Sequence, residues 1–366
     1  MYSALKAVCL AQVMTMHVEE LKNGKEWETF LERSPGGTFY HSLKWRKVIQ
    51  MSFGHHDLYL TMRDENGTII GVCPGFIRGR RRLRIYDSMP YSECGGPVIA
   101  RQSKKEASHT LQSFLRSFCS NKGIIYARFC FTDAELGRFF RSPLGYTETT
   151  RGMVEVDLKV APPAFLWKKI FSTNLRRSIK LVERRGFQAQ EARTKSDLRD
   201  FYDLYYENMK YLGADPYPYE FMENVWLVLH PRHLRIWLLE KDKRVGGILV
   251  LKDSKKSYCA YAGLDREQRV GIVNYLMWKE IKKAEEEGRR YVSLGSTPSD
   301  PRNPYYIQKM RLGGSFRQQQ TIWHPIDSTG CILLLTRAKT FSARKTIRNL
   351  LPTGIRRTLE SRLSRF

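Results

Sequence analysis

Apolar residues recur along this chain at two periods, one near 3.6 and one near 2, separated by glycine- and proline-rich turns. Helical spacing comes first. Trp27, Phe30 and Leu31 are followed, past a turn at 34–37, by Leu43, Trp45, Val48 and Ile49, so residues 17–50 are expected to be helical. Alternation follows at 57–63, a hairpin turn at Asp64, Glu65, Asn66 and Gly67, and a return strand at 68–72. The sheet continues at 84–87 and breaks at Gly95, Gly96 and Pro97. Residues 105–121 read as an amphipathic helix through Leu111, Phe114, Leu115 and Phe118, stopped by Gly123. A strand at 124–129, a helix and turn at 139–145 and a closing strand at 153–158 complete the first half.

The second half repeats this order. Strands are expected at 234–240, 245–251 and 257–262. The clearest unit of the chain follows: a helix through Val273, Leu276, Met277, Ile281 and Ala284 that stops at Gly288, a strand from Tyr291, a short helix, the pair Gly313 and Gly314, and a closing strand at 320–323. Gly71 and Gly246, Gly123 and Gly288, and Gly145 and Gly313 lie at nearly constant offset, which points to two similar α/β domains with mixed sheets. Expected boundaries are a leader at 1–16, a first domain at 17–160, a second and active domain at 161–325, and a tail at 326–366. Between the halves, 167–186 reads as a basic helix capped by Thr173 or Asn174, and 201–226 as aromatic-rich helix broken by Gly213, Pro216 and Pro218.

Charge changes the picture more than size does. The 366 residues hold 62 Lys and Arg against 37 Asp and Glu, a net charge of +25, which implies an anionic partner. Seven scattered cysteines without a C-x-x-C pair read as reduced thiols in a cytoplasmic protein. The leader lacks the marks of a signal peptide, with Met14 or Met16 as alternative starts, and no run is long enough to span a membrane. Phosphate-loop, dinucleotide, zinc-protease and serine-hydrolase motifs are absent, and His230 and His233 flank Pro231 as an ordinary turn, so no metal site is expected. Five arginines at 78–84 read as a charged rim or as a tRNA or membrane docking site. Residues 331–366 hold nine basic residues against the single acid Glu360, interleaved with Leu and Ile, and read either as a peripheral anionic-membrane segment or as ordinary helices packed back on the core.

An ordered set of short motifs carries a resemblance. It comprises 174–180, 201–213, Pro218, Phe221, Val245 with Gly246 and Gly247, Tyr261, Asn274, the helix to Gly288, the step Gly295, Ser296 and Thr297, and Lys309 four residues before Gly313 and Gly314. Ser42, Leu43, Trp45 and Gly95 to Pro97 give weaker first-half support. Together they resemble the FemABX group of acyl- and aminoacyltransferases, whose chains contain two tandem GNAT (N-acetyltransferase) domains. The steps at 208–213 and 295–297 look closest to bacterial members linked to exported-polysaccharide systems. Three positions depart from the pattern: Ser293 stands where an acid is common, Gln308 for Phe, and Leu312 for an aromatic residue.

The resemblance implies roles. Lys309 would be the catalytic cation that stabilises an oxyanion or a departing carrier. Asn174, Arg176 and Arg177 would bind substrate phosphate, Tyr261 and Asn274 would line an acceptor channel, and Gly295, Ser296, Thr297, Tyr305, Gly313 and Gly314 would contact substrate. From the residues alone, Lys309, Arg176 and Arg177 also suit a solvated basic surface, Tyr261 a strand end, and Asn274 a helix N-cap. Residues 268–273 nearly fit the GNAT pyrophosphate loop, which assigns Gln268 and Gly271 to an acyl-CoA donor, although Val273 stands where a small residue is expected. The expected activity is transfer of an acyl or aminoacyl group, from acyl-CoA or aminoacyl-tRNA and with no permanently bound cofactor, to an amine of a lipid-linked or nucleotide-linked envelope precursor. The enzyme would be cytoplasmic and peripheral on the inner membrane face. The alternative is a GNAT-like scaffold without chemistry that docks nucleic acid or anionic lipid.

Overall fold

The computed structural model describes residues 16–79, 84–141, 145–268 and 271–326. The leader to residue 15, most of the arginine turn, Arg269 and Val270 of the candidate phosphate loop, and the tail beyond residue 326 lie outside the described residues.

The second half is built on a seven-stranded sheet. Gln188–Glu191, Leu234–Glu240, Arg244–Lys252 and Lys256–Leu264 run antiparallel in sequence, and Tyr291–Pro298 is parallel to the last of them. Helix Ile272–Glu286 makes the crossover, with its apolar stripe buried against the sheet. A buried ion cluster pins it there. Arg235 donates from Nη1 to both Glu280 oxygens at 3.2 and 3.1 Å, Trp237 Nε1 donates to the same carboxylate at 2.8 Å, and Glu191 and Glu287 take the rest of the guanidinium.

The first half repeats the plan with a break. Strands His17–Glu20, Leu60–Arg63, Ile69–Cys73 and Val98–Ile99 form one sheet. His56–Asp57, Phe76–Arg78, Arg84–Asp87 and Ile124–Phe131 belong to another, the last two parallel and joined through helix Lys104–Asn121. Pro74 divides the strand that is continuous in the second half, because proline offers no N–H to a ladder.

Each closing strand sits in the other half's sheet. Arg151–Asp157, expected to close the first half, lies between Tyr291–Pro298 and Ser315–Gln318 of the second. Gln320–Pro325, expected to close the second half, lies between Ile124–Phe131 and Tyr146–Glu148 of the first. The halves also share one core. Trp27, Trp45 and Phe76 pack in the same cluster as Phe201, Phe221 and Tyr258, and the Tyr258 hydroxyl accepts from the Phe39 amide at 3.1 Å.

Local expectations fail where tertiary pairing or capping overrides spacing. Residues 17–20 form a strand rather than helix, paired with Leu60–Arg63. The first-half helix near 139 is Ala134–Phe139, earlier than expected because Asp133 caps it. The basic segment is interrupted: a π-helical turn Leu166–Ile170 precedes helix Thr173–Arg184, and Ser172, not Thr173 or Asn174, caps the helix by accepting from the Leu175 amide at 3.2 Å.

Candidate active site

The parallel strands Lys256–Leu264 and Tyr291–Pro298 stay paired only from Lys256 to Tyr258 against Tyr291 to Ser293. Beyond that they diverge, because a bulge at Ala260 turns the first strand while the second follows Arg151–Asp157. The opening holds two adjoining cavities, of about 580 Å³ toward the start of helix Ile272–Glu286 and about 530 Å³ toward the first half. Tyr217, Cys259, Ala260, Tyr261, Ser296 and Lys309 line both, so they mark where the cavities meet.

Lys309 stands on helix Pro304–Arg311 and donates from Nζ to the Ser296 carbonyl at 2.8 Å. Burial pushes its ammonium down to about 8, against the opposing pull of Glu93. Glu93 comes from the first half. Burial pushes its carboxyl up to about 7, with Lys309 and the Ser296 backbone pulling it back, and its Oε2 is screened from solvent with no hydrogen-bond partner among the described residues. Gly295 lies between them at φ +85°. A Cβ there would stand 2.8 Å from the Cys259 carbonyl, 3.1 Å from Glu93 Oε1 and 3.3 Å from Lys309 Nζ. Only glycine satisfies both that backbone and that crowding.

Around this pair, Arg151 Nε donates to Ser296 Oγ at 3.0 Å. Tyr261 packs among Tyr205, Tyr217 and Phe221, and burial raises its phenol well above the ordinary range, so the hydroxyl stays a neutral donor. Cys259 is also raised strongly by burial, which argues against a thiolate nucleophile. The five described cysteines are free, and no group of three or more metal-ligating side chains gathers among the described residues.

Of the residues singled out in the sequence, Tyr261, Gly295, Ser296 and Lys309 come together. Asn274, Tyr305, Gln268 and Gly271 line the larger cavity. Asn274 is not the helix cap, a place taken by Gly271; its Oδ1 accepts from Gln308 Nε2 at 2.9 Å. Gly271 is closed over by Ser178, whose Oγ would lie 2.1 Å from an added Cβ. Thr297 is fully buried and lines neither cavity. Gly313 ends the Lys309 helix at φ +84° against Leu166, and Gly314 packs on Val154, so both serve the helix's seating. Asn174 and Arg177 are exposed outside both cavities, and Arg176 donates to the Trp167 carbonyl at 2.9 Å, which holds the π-turn to the helix.

Sequence reasoning missed Glu93, which supplies a carboxylate beside Gly295 where Ser293 left none. It also missed Asn208, whose Nδ2 donates to the Ala262 carbonyl at 3.0 Å while Oδ1 accepts from Arg266. Asn208 had a signal, since it opens the step at 208–213; Glu93 had none.

Residues 170–305 match the family model described as an acetyltransferase (GNAT) domain. Comparison with the curated proteins finds no match. Among solved structures, FemX aligns with a TM-score of 0.68 at 13% identity over 83% of this chain and 96% of its own. A tandem GNAT protein from the clavulanic acid biosynthesis pathway aligns at TM-score 0.57 and 10% identity, over 86% of this chain and 99% of its own. The C-terminal domain of a putative lysylphosphatidylglycerol synthetase from Agrobacterium fabrum gives TM-score 0.55 and 12% identity, over 86% and 95%. With the reciprocal strands, the splayed parallel pair and a GNAT domain recognised at 170–305, the chain has a tandem GNAT fold similar to that of FemX.

Proposed function

We propose that this protein transfers an acyl or aminoacyl group to an amine, with the chemistry in the half at 161–325 and Glu93 lent by the half at 17–160. The observation that carries the reading is the facing of Glu93 and Lys309 across Gly295 where two cavities meet. The donor enters the larger cavity, toward Gln268, Gly271 and Asn274, and the acceptor amine enters the smaller.

A reacting amine has to lose a proton before or as it attacks, and a carboxylate near pKa 7 suits that task at neutral pH. Glu93 takes the proton while the new C–N bond forms. The Lys309 ammonium stabilises the tetrahedral oxyanion and gives a proton to the departing thiolate of CoA, or to the ribose oxygen of a charged tRNA, as that bond breaks. Tyr261 adds a neutral O–H donor. Asn174 and Arg177, on the helix that covers Gly271, serve the donor's phosphates at the surface, and Arg176 positions that helix.

The acceptor is an amine of a lipid-linked or nucleotide-linked saccharide or peptide precursor, met at the inner face of the cell membrane. The name of the lysylphosphatidylglycerol synthetase, a phospholipid enzyme, favours a lipid setting. The test incubates purified protein with envelope extract and either labelled acyl-CoA or labelled charged tRNA, and follows label into the lipid fraction. Transfer from one donor supports the reading and chooses the donor. Transfer from neither, with salt-sensitive nucleic-acid binding retained, leaves a docking scaffold instead.

A further inference from the structure

The segment joining the halves carries large apolar side chains that none of the described residues covers. Val160 is 75% exposed, and Phe165 and Ile170 are each 45% exposed. The π-helical turn, closed by the Phe171 amide on the Leu166 carbonyl at 2.8 Å, sets residues five apart above one another, so Phe165 and Ile170 share a side. Cations surround them. Residues 158–182 contain no acid but hold Lys159, Lys168, Lys169, Arg176, Arg177 and Lys180. Apart from Arg176, these are exposed, and no described carboxylate pairs with them. The patch is firmly mounted: Trp167 stacks on Trp278 at 5.4 Å, and Leu166 lies under Gly313 at the end of the Lys309 helix.

We infer that residues 159–181 form a docking face for an anionic lipid surface. Phe165 and Ile170 enter the headgroup region, and Lys168, Lys169 and Lys180 lie against lipid phosphates. Apolar side chains ringed by lysines without acids suit a bilayer interface, where long basic side chains reach back to the headgroups. Protein interfaces, by contrast, deplete lysine at their cores, and a nucleic-acid backbone gives Val160 and Ile170 nothing to bury against. No helix among the described residues is long and apolar enough to cross a membrane, so the contact is peripheral. It would hold the Lys309 helix close to a lipid-linked acceptor, although the docking face stands without any transfer chemistry.

The test is flotation of the full chain with vesicles of phosphatidylcholine alone or mixed with phosphatidylglycerol, without any donor. The mixed vesicles should carry the protein and the neutral ones should not. The double variant Phe165→Ser/Ile170→Ser should partition roughly tenfold more weakly, and Lys168→Gln/Lys169→Gln should also fall about tenfold and lose salt sensitivity. Circular dichroism and melting controls show that each variant is folded. Equal partitioning of wild type and folded variants would assign lipid binding elsewhere, such as the tail, and overturn the inference. So would wild type that binds neither vesicle, or both equally. Because the readout needs no catalysis, a failed transfer assay leaves it intact, and a failed flotation leaves the transfer reading intact.

Discussion

Glu93 and Lys309 are displaced in opposite directions by one cause, loss of solvent, and the two shifts set where the site works. If Glu93 is the base and Lys309 the cation, kcat/KM should rise through a pKa near 7 and fall through one near 8. Glu93→Gln should remove the acidic limb. Lys309→Met should lower kcat/KM about a hundredfold with an unchanged circular dichroism spectrum; an unchanged rate removes Lys309 from the chemistry. Stability follows from the same values. Glu93 titrates near 7 in the fold against an ordinary 4.5, so its contribution is complete below 4.5 and is lost as pH rises through 7. Lys309 titrates near 8 against 10.5, so its contribution is complete above 10.5 and is lost as pH falls through 8. Melting of the wild type should therefore weaken between pH 5 and 8 in a way that Glu93→Gln flattens. Gly295→Ala should cost about 2–3 kcal/mol and most activity, since it strains a positive φ and drives a methyl between the pair; chemical denaturation measures the first, initial rates the second. Lys309 was legible because its spacing to Gly313 and Gly314 is local. Glu93 was not, because only tertiary structure brings its loop to Gly295.

At the scale of elements, the two parallel crossovers show how one plan served two ends. In the second half the strands part and leave open space. In the first half a loop of the chain narrows the corresponding opening to a cavity of about 310 Å³: after Arg84–Asp87 it loops out, and Gly95 returns to donate to the Cys130 carbonyl at 3.2 Å. Met89 and Tyr91 take positive φ in that loop, at 58° and 59°, and Trp45 Nε1 donates to Ser92 Oγ at 2.7 Å, so backbone strain and a buried indole hold Glu93 in place. Helix Ile272–Glu286 was plain in the sequence because its stripe is regular and Gly288 follows it. The strand His17–Glu20 was not, since four residues carry too little pattern and its partner lies at Leu60–Arg63. Removing Glu280 tests how that helix is held. Glu280→Ala leaves Arg235 buried beside weaker partners and should cost about 3–5 kcal/mol by urea denaturation.

At the scale of the molecule, the repeat of pattern was legible from glycine offsets, while the exchange of closing strands was not, because alternation gives a strand's faces and not its neighbours. The exchange and the shared core make one cooperative body, so calorimetry should record a single transition that coincides with those seen by fluorescence and far-UV circular dichroism. Two similar domains, each completing its sheet with the other's last strand, have the geometry of a swapped homodimer, which this chain holds within one polypeptide. Within one polypeptide the two halves need not be identical, so one can carry a narrower opening and serve as the mount for a residue of the other's site. If the gene is cut in the turn near residue 160, the two products should each be unfolded when made alone and should recover a folded complex when made together.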